Sequence, residues 1–269
     1  MSKKSSAPGP TFLATISSGV RFVVGFLLVA IASTITMAIA IVLLPWRILR
    51  IKLCNYYGKI IGYSIVRIAG VNPVVRSIAK INQAHPAIFV ANHASTLDAF
   101  LSIWLCPVGG SGVMKRQVYK IPFFGQLYML SGHLALNRED KTKAIAGVED
   151  IVQVVRRHRI SIWIMPEGTR SRDGRLQPFK LGFVHMAVAT GLPIVPVIIH
   201  GAHKTWVKGT TYVEPTPIEV DVLDPISTAD WRVETARQHA EEIHQIFVQH
   251  LRDDQKPLAK DPVLTEKAA

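Results

Sequence analysis

An uncharged run of twenty-five residues, Phe22 to Trp46, constrains this 269-residue chain more than any other feature. A helix needs about 20 apolar residues to cross a hydrocarbon core, so the run is long enough. It is too long for the core of a signal peptide, and no small-residue cleavage site follows it. Its hydrophobicity extends all round the helix, which argues against a one-sided helix of a soluble core. Pro45 and Trp46 close it, and Arg47, Arg50 and Lys52 follow. An aromatic followed by cations fits a headgroup boundary.

Charge is just as uneven. No Asp or Glu precedes Asp98, whereas Lys3, Lys4, Arg21, Arg47, Arg50, Lys52, Lys59, Arg67, Arg76 and Lys80 all do, which accounts for ten of the net +12. Cations beside an apolar helix imply attraction to an anionic membrane surface, at about 1 kcal/mol per nearby cation. Nucleic-acid binding is the competing meaning of a basic chain. It is excluded because no recognition motif and no cations interleaved with stacking aromatics are present. Cys54 and Cys106 carry no metal or disulfide spacing and read as buried thiols. Cations flank both ends of the apolar run, with a small excess after it. That asymmetry favours a cytoplasmic site for the remainder of the chain.

The organisation expected is a loose polar tail (1–18), membrane-anchoring helices (19–70), an enzymatic domain (71–252) and a charged flexible tail (253–269). Within the anchor, 22–46 is one helix and 47–69 a second, lying at the interface or returning through it. A re-entrant hairpin and a span followed by a surface helix both fit. Beyond residue 72 apolar strand patterns alternate with helical ones. Ala87–Ala91, Val113–Met114, Leu134–Leu136, Ile160–Met165 and Ile194–Ile199 read as strands. Pro196 removes a ladder donor, so the last is expected to be distorted or at an edge. Leu97–Cys106, 141–158, Phe183–Ala189 and 232–252 read as helices. Such alternation predicts an α/β fold with a mostly parallel sheet flanked by helices.

Two segments carry the chemistry. His93 follows a strand end, where open α/β sheets bind ligands, and Asp98 stands five residues later. On one continuous helix that offset turns the two side chains about 140° apart. A bend at Ser95-Thr96 brings them together and leaves one imidazole nitrogen free as a base. Ser95-x-x-Asp98 equally matches a helix capping box. The second segment is Pro166-Glu167-Gly168-Thr169-Arg170. Gly168 permits a turn that aims amide hydrogens at an anion, and Arg170 offers bidentate pairing to phosphate. Arg138, Lys115 and Lys180 are further cations for an anionic substrate, or else solvated surface charges.

Other constellations fail. His239 and His244 are five apart on a helix and diverge, so they do not make the His-x-x-x-His zinc pair. His200-x-x-His203 lacks a third ligand. Gly109-Gly110-Ser111-Gly112 lacks the last glycine of a nucleophile elbow and reads as a turn.

With these residues in view the chain resembles the glycerophospholipid acyltransferases, and most closely the bacterial 1-acyl-sn-glycerol-3-phosphate acyltransferases. Asn92-His93-x-Ser95-x-x-Asp98 matches the first block of that family. Gly132-His133-Leu134-Ala135-Leu136-Asn137-Arg138 resembles the second, with Ala135 where an aromatic is common. Met165-Pro166-Glu167-Gly168-Thr169-Arg170-Ser171 matches the third, and Leu192-Pro193-Ile194-Val195-Pro196-Val197 the fourth. The resemblance implies transfer of a fatty acyl group from acyl-CoA or acyl carrier protein to the sn-2 hydroxyl of 1-acylglycerol 3-phosphate (lysophosphatidic acid). It implies His93 as general base with Asp98 as its partner, and no covalent acyl-enzyme. Arg138, Glu167, Gly168, Thr169 and Arg170 are implied to surround the acceptor phosphate, and Lys115 to lie near the acyl carbonyl. No tightly bound cofactor or metal is implied. The bilayer, the lysolipid and the acyl donor are the expected partners, at a bacterial inner membrane with the site facing the cytoplasm. The rival functions are the same chemistry on another lysolipid, a lipid or thioester hydrolase, and a non-catalytic lipid-binding protein.

Overall fold

The computed structural model describes residues 11–136, 141–207 and 209–258. Two long helices come first, α1 (Phe12–Val42) and α2 (Arg47–Ile68). The expected loose tail is therefore helical from Phe12 onward, capped by the Thr11 hydroxyl, which accepts the Ala14 N–H at 3.3 Å. The polar residues that suggested a tail have a different use. Ser18 Oγ donates to the Thr211 carbonyl at 3.3 Å and accepts the Val213 N–H at 2.8 Å, stapling α1 to a distant loop. Arg21, the only cation in α1, donates to the Ala69 carbonyl at 2.8 Å and so caps the end of α2. A cation there satisfies an orphan carbonyl and complements the helix dipole.

Helix α1 lies along the rest of the molecule. Its buried positions are small or polar (Ser18, Gly25, Ser33, Thr36, Ala40), while Phe12, Val20, Val23, Leu27, Ile31, Ile35 and Val42 are exposed. Ser33 and Tyr57 share a buried hydrogen bond of 2.8 Å between α1 and α2. Two of the cations after the apolar run bond backbone of the domain: Arg47 Nε donates to the Gly132 carbonyl at 2.9 Å, and Arg50 donates to the Leu130 carbonyl.

The remaining elements are β1 (Val74–Arg76), α3 (Ala79–Gln83), β2 (Ile88–Ala91), α4 (Leu97–Leu105), β3 (Gly110–Gly112), β4 (Met114–Lys115), α5 (Phe124–Leu130), β5 (Ala135–Leu136), α6 (Lys141–His158), β6 (Ser161–Ile164), α7 (Gly182–Thr190), β7 (Ile194–His200), α8 (Ala202–Thr205), β8 (Glu219–Val222) and α9 (Ala236–His250). A short 3₁₀ turn, Arg116–Lys120, joins β4 to α5. The main sheet has the order β1-β8-β7-β2-β6-β3, and β4 pairs with β5 separately. All neighbours in the main sheet are parallel except β7 and β8. This is the expected α/β architecture.

Both faces of the sheet are covered. On β2, Ile88 and Val90 join one core with Ile162, Ile164, Phe183 and Phe247, while Phe89 and Ala91 join the other with Leu97, Leu101 and Ile61. The period of two in a strand assigns alternate residues to opposite faces. Each fully buried Leu, Ile or Phe contributes roughly 1.5–3 kcal/mol, so these two layers carry the stability. Helix α2 approaches α4 closely enough that a Cβ at Gly62 would stand 2.5 Å from the Phe100 carbonyl oxygen, and one at Gly58 2.9 Å from that of Ile103. Glycine spaced by four residues on α2 is what permits this contact.

Two expectations need correction, and a third resolves between its alternatives. Gly110–Gly112 is a strand paired with β6, not a turn. Strand β7 is interior, flanked by β2 and β8, and is the distorted strand rather than an edge. Ile194 N–H already faces the β8 side, bonding the Ile226 carbonyl at 3.0 Å. Pro196, two residues on, has its missing donor on that same side, in the irregular step before the ladder resumes at Val197 and Val222. Finally, the segment 253–258 is anchored at one point rather than loose throughout, with Gln255 only 1% exposed among exposed and half-buried neighbours.

Candidate active site

The site forms at the carboxyl ends of β2 and β6, beside the turn after β7. Asn92, the first residue past β2, clamps that end to β7: its amide donates to the Ile199 carbonyl at 2.9 Å and accepts the Ile199 N–H at 2.7 Å. Residues 92–96 are not helical, and α4 begins at Leu97. The bend that the His93–Asp98 spacing requires is therefore present. His93 Nδ1 lies 3.2 Å from Asp98 Oδ2. The Ala94 and Ser95 N–H groups donate to the same oxygen at 2.7 Å each. Pairing to His93 and the backward half of the capping box (the Ser95 N–H), which the sequence presents as alternatives, are both made by one buried carboxylate. With Nδ1 facing Asp98, Nε2 is the ring nitrogen left for a ligand.

The loop after β6 folds over this bend. Ser171 N–H donates to the His93 carbonyl at 3.0 Å. Gly168 has φ 71°, the left-handed turn expected of it. Gly168, Thr169 and Arg170 line the cavity beside His93, and Arg170 also donates to the Thr96 hydroxyl. Glu167 does something else. Its carboxylate is buried, with Oε1 accepting the His93 N–H at 2.5 Å and Oε2 the Gln177 N–H at 3.0 Å. Both oxygens accept backbone N–H groups, and Glu167 lines neither cavity described below. Burial pushes its carboxyl up to about 8, against the two N–H donors, which favour the charged form.

Lys115 ends β4, and only its backbone is described; its neighbour Met114 lines the cavity. Arg138 lies outside the described residues. Lys180 is exposed and lines neither cavity. Cys54 and Cys106 are buried free thiols, as expected. Among the described residues no cluster of three His, Cys, Asp or Glu is placed to hold a metal ion. Ser111 Oγ lies 3.1 Å from His133 Nδ1 and accepts the Leu134 N–H at 2.9 Å. This serine is fully buried and does not line the cavity, so the pair braces β3 against the segment before β5. Burial lowers the His133 imidazole to about 4, which keeps it neutral.

Two apolar cavities meet at His93. One, of about 360 Å³, runs into the domain past Ile103, Cys106, Leu127, Tyr128, Trp163 and Met165. The other, of about 430 Å³, is walled by α1 through Phe22, Phe26 and Val29, and by Ile65, Phe100 and Trp206 opposite. His93 and Arg170 line both. Nothing in the periodicity of the sequence marked this junction, because it draws on α1, α2, α4, α5 and β6 together.

Comparison with known proteins agrees with this geometry. The acyltransferase family matches residues 72–200. A 1-acyl-sn-glycerol-3-phosphate acyltransferase of Limnanthes douglasii is 42% identical over 88% of this chain and 84% of its own. The chain belongs to the 1-acyl-sn-glycerol-3-phosphate acyltransferase family. The protein of that name from Escherichia coli strain K12 is 34% identical over 65% of this chain and 70% of its own. The plant sequence is thus more similar than this bacterial one, and the expected special likeness to bacterial members does not hold for this pair. The crystal structure of the 1-acyl-sn-glycerophosphate acyltransferase of Thermotoga maritima superposes with a TM-score of 0.71 at 20% identity, covering 90% of this chain and 98% of its own, which bears on the fold alone.

Proposed function

We propose that the enzyme transfers a fatty acyl group from a thioester donor, acyl-CoA or acyl carrier protein, to the sn-2 hydroxyl of 1-acylglycerol 3-phosphate, giving phosphatidic acid. One observation carries the reading: a histidine held by a carboxylate and an arginine stand together where two apolar cavities join. Two fatty chains and a phosphate must converge on one hydroxyl in this reaction. His93 Nε2 takes the hydroxyl proton as the oxygen attacks the thioester carbonyl. An ester bond forms, the carbon–sulfur bond breaks, and the thiolate leaves and is protonated. Asp98 holds the imidazole in the tautomer that leaves Nε2 unprotonated, and steadies the imidazolium that forms. Arg170, with Gly168 and Thr169, meets the acceptor phosphate.

The anchor serves the same reaction. Its outward face is apolar along α1 (Phe12, Val23, Ile31, Ile39), while on α2 the exposed Tyr56, Ile60 and Tyr63 are flanked by the exposed cations Lys52 and Arg67. Ser18, Arg21 and Phe22 near one end of α1 and Phe26 further along are all tied to the domain or its neighbour helix. A helix bound sideways in this way lies in the membrane surface, where a lysolipid resides, better than it crosses the bilayer. The compartment that fits this reading is the cytoplasmic face of an inner membrane.

Incubating the purified protein with labelled acyl-CoA or acyl carrier protein and a panel of lysolipids tests the assignment. A diacyl phosphate product is expected; labelled free fatty acid without acceptor would point to hydrolysis, and no product at all to a binding protein. Arg170→Ala is expected to raise KM for the phosphorylated acceptor at least tenfold while KM for the donor stays within twofold. Equal weakening of both would make Arg170 a brace for Thr96 only.

A further inference from the structure

We infer that Gln255, in the segment after α9, is a positioning residue for His93; the inference rests on His93 being the base. Gln255 is buried and stands beneath the loops that hold the site. Its side-chain amide donates to the Ile199 carbonyl at 3.1 Å, and its side-chain oxygen accepts the Gly201 N–H at 2.9 Å. Its main-chain carbonyl accepts the Leu176 N–H at 2.9 Å. Each contact leads to the segment 92–96 by a separate route.

The first route is the shortest. The Ile199 carbonyl that receives Gln255 also receives the Asn92 amide, and Asn92 adjoins His93. The second passes through Gly201 into α8. Just beyond α8 the Trp206 carbonyl accepts both the Ser95 hydroxyl at 3.0 Å and the Thr96 N–H at 3.2 Å. These two residues form the bend between His93 and Asp98. The third passes from Leu176 to its neighbour Gln177, whose N–H bonds Glu167, whose other oxygen bonds the His93 N–H. One side chain and its carbonyl therefore tie down the strand end before His93, the bend after it and the carboxylate beneath it.

The neighbours of Gln255 do not share this role. Asp254 pairs with Lys204 at 2.5 Å and Lys256 with Asp253 at 2.8 Å, on the exposed side. Exposed pairs of this kind contribute little, about 0–1 kcal/mol. Asp254 ties the segment to Lys204 on the surface and the Lys256–Asp253 pair lies within the segment, whereas Gln255 alone of these residues reaches the buried backbone behind the site.

The test separates hydrogen bonding from packing. Gln255→Met keeps the side-chain volume and removes both amide contacts; Gln255→Ala removes volume as well; Lys256→Ala removes an exposed ion pair within the same segment. For Gln255→Met, kcat is expected to fall ten- to a hundredfold with KM for donor and acceptor within twofold, since a displacement of about 1 Å at a base can cost about a hundredfold. Lys256→Ala is expected to keep wild-type kcat. Should Gln255→Ala fail to fold, Gln255→Met still decides the matter. Wild-type kcat in Gln255→Met, or a loss of kcat matched by Lys256→Ala, would overturn the inference. If His93→Ala were itself active, the reading of His93 as base would fail instead; an inactive His93→Ala beside an active Gln255→Met would reject the positioning role alone.

Discussion

His93→Ala is expected to lower acyl transfer by at least about 10²–10⁴-fold, the range a general base supplies, and in practice below detection. The fold is expected to survive. His93 contributes one side-chain bond, to Asp98 Oδ2, and that oxygen keeps the Ala94 and Ser95 N–H groups at 2.7 Å each. The bend before α4 therefore persists without the imidazole. Losing one such bond costs about 1 kcal/mol, so thermal unfolding should shift by only a few degrees. The His93 side chain bonds Asp98 rather than α1 or α2, so vesicle binding is expected to be unchanged. The paired measurement is turnover and vesicle flotation on the same preparation. A variant that turns over at a rate near the parent would remove His93 from the mechanism. One that no longer binds vesicles would show that the loss is not chemical.

How much of this was legible in the chain depends on where the information resides. Strands β2, β6 and β7 are buried on both faces, and their continuous apolar runs stand out in the sequence. The helices α4, α7 and α9 show their amphipathic or apolar runs equally plainly. Strand β1 is three residues long after Pro73 and largely exposed, and β8 alternates acid and valine between prolines. Strand β8 does alternate, with Val220 and Val222 buried and Glu219 and Asp221 paired to Arg76 at 2.6 and 3.0 Å, but four residues between prolines are a short signal. Strand β3 is made by tertiary context. Asn55 of α2 accepts the Gly109 N–H at 2.8 Å and donates to the Gly110 carbonyl at 2.9 Å, which straightens a glycine-rich stretch that reads locally as a turn.

The site divides in the same way. His93, Asp98, Gly168 and Arg170 were legible because base, carboxylate, turn and cation are residue types tied to chemistry. The backbone bonds of Glu167 were not legible: its type suggests a ligand contact, whereas its position after an apolar strand puts it inside. A carboxylate in that position needs backbone donors from elsewhere, and those come from residues 93 and 177. Gln255 was hidden entirely. A glutamine in a charged terminal segment carries no signal until the strand end and turn that it joins are folded.

Glu167→Gln is expected to lower kcat by about 10²-fold while raising neither KM by more than twofold. The carboxyl has two oxygens, each receiving one backbone N–H, and both can accept whether or not the group carries a proton. An amide has one oxygen and an NH₂ that cannot accept, so either the His93 or the Gln177 N–H is left facing a donor. An unsatisfied buried donor costs about 1–3 kcal/mol, and the cheapest relief is a shift of one of the two loops. When the His93 backbone moves, the imidazole moves with it, and a displacement of about 1 Å accounts for the loss of rate. The same substitution has a signature in stability. The Glu167 carboxyl is raised from its ordinary 4.5 to about 8, chiefly by burial. Between those values the folded protein holds a proton that the unfolded chain gives up. Its contribution is thus complete below pH 4.5 and is lost as pH rises toward 8. The wild type should therefore lose unfolding free energy across that window, and Glu167→Gln, which does not titrate, should lose less. A variant with wild-type kcat and an unaltered pH slope would show that the carboxylate neither holds His93 nor bears the burial assigned to it.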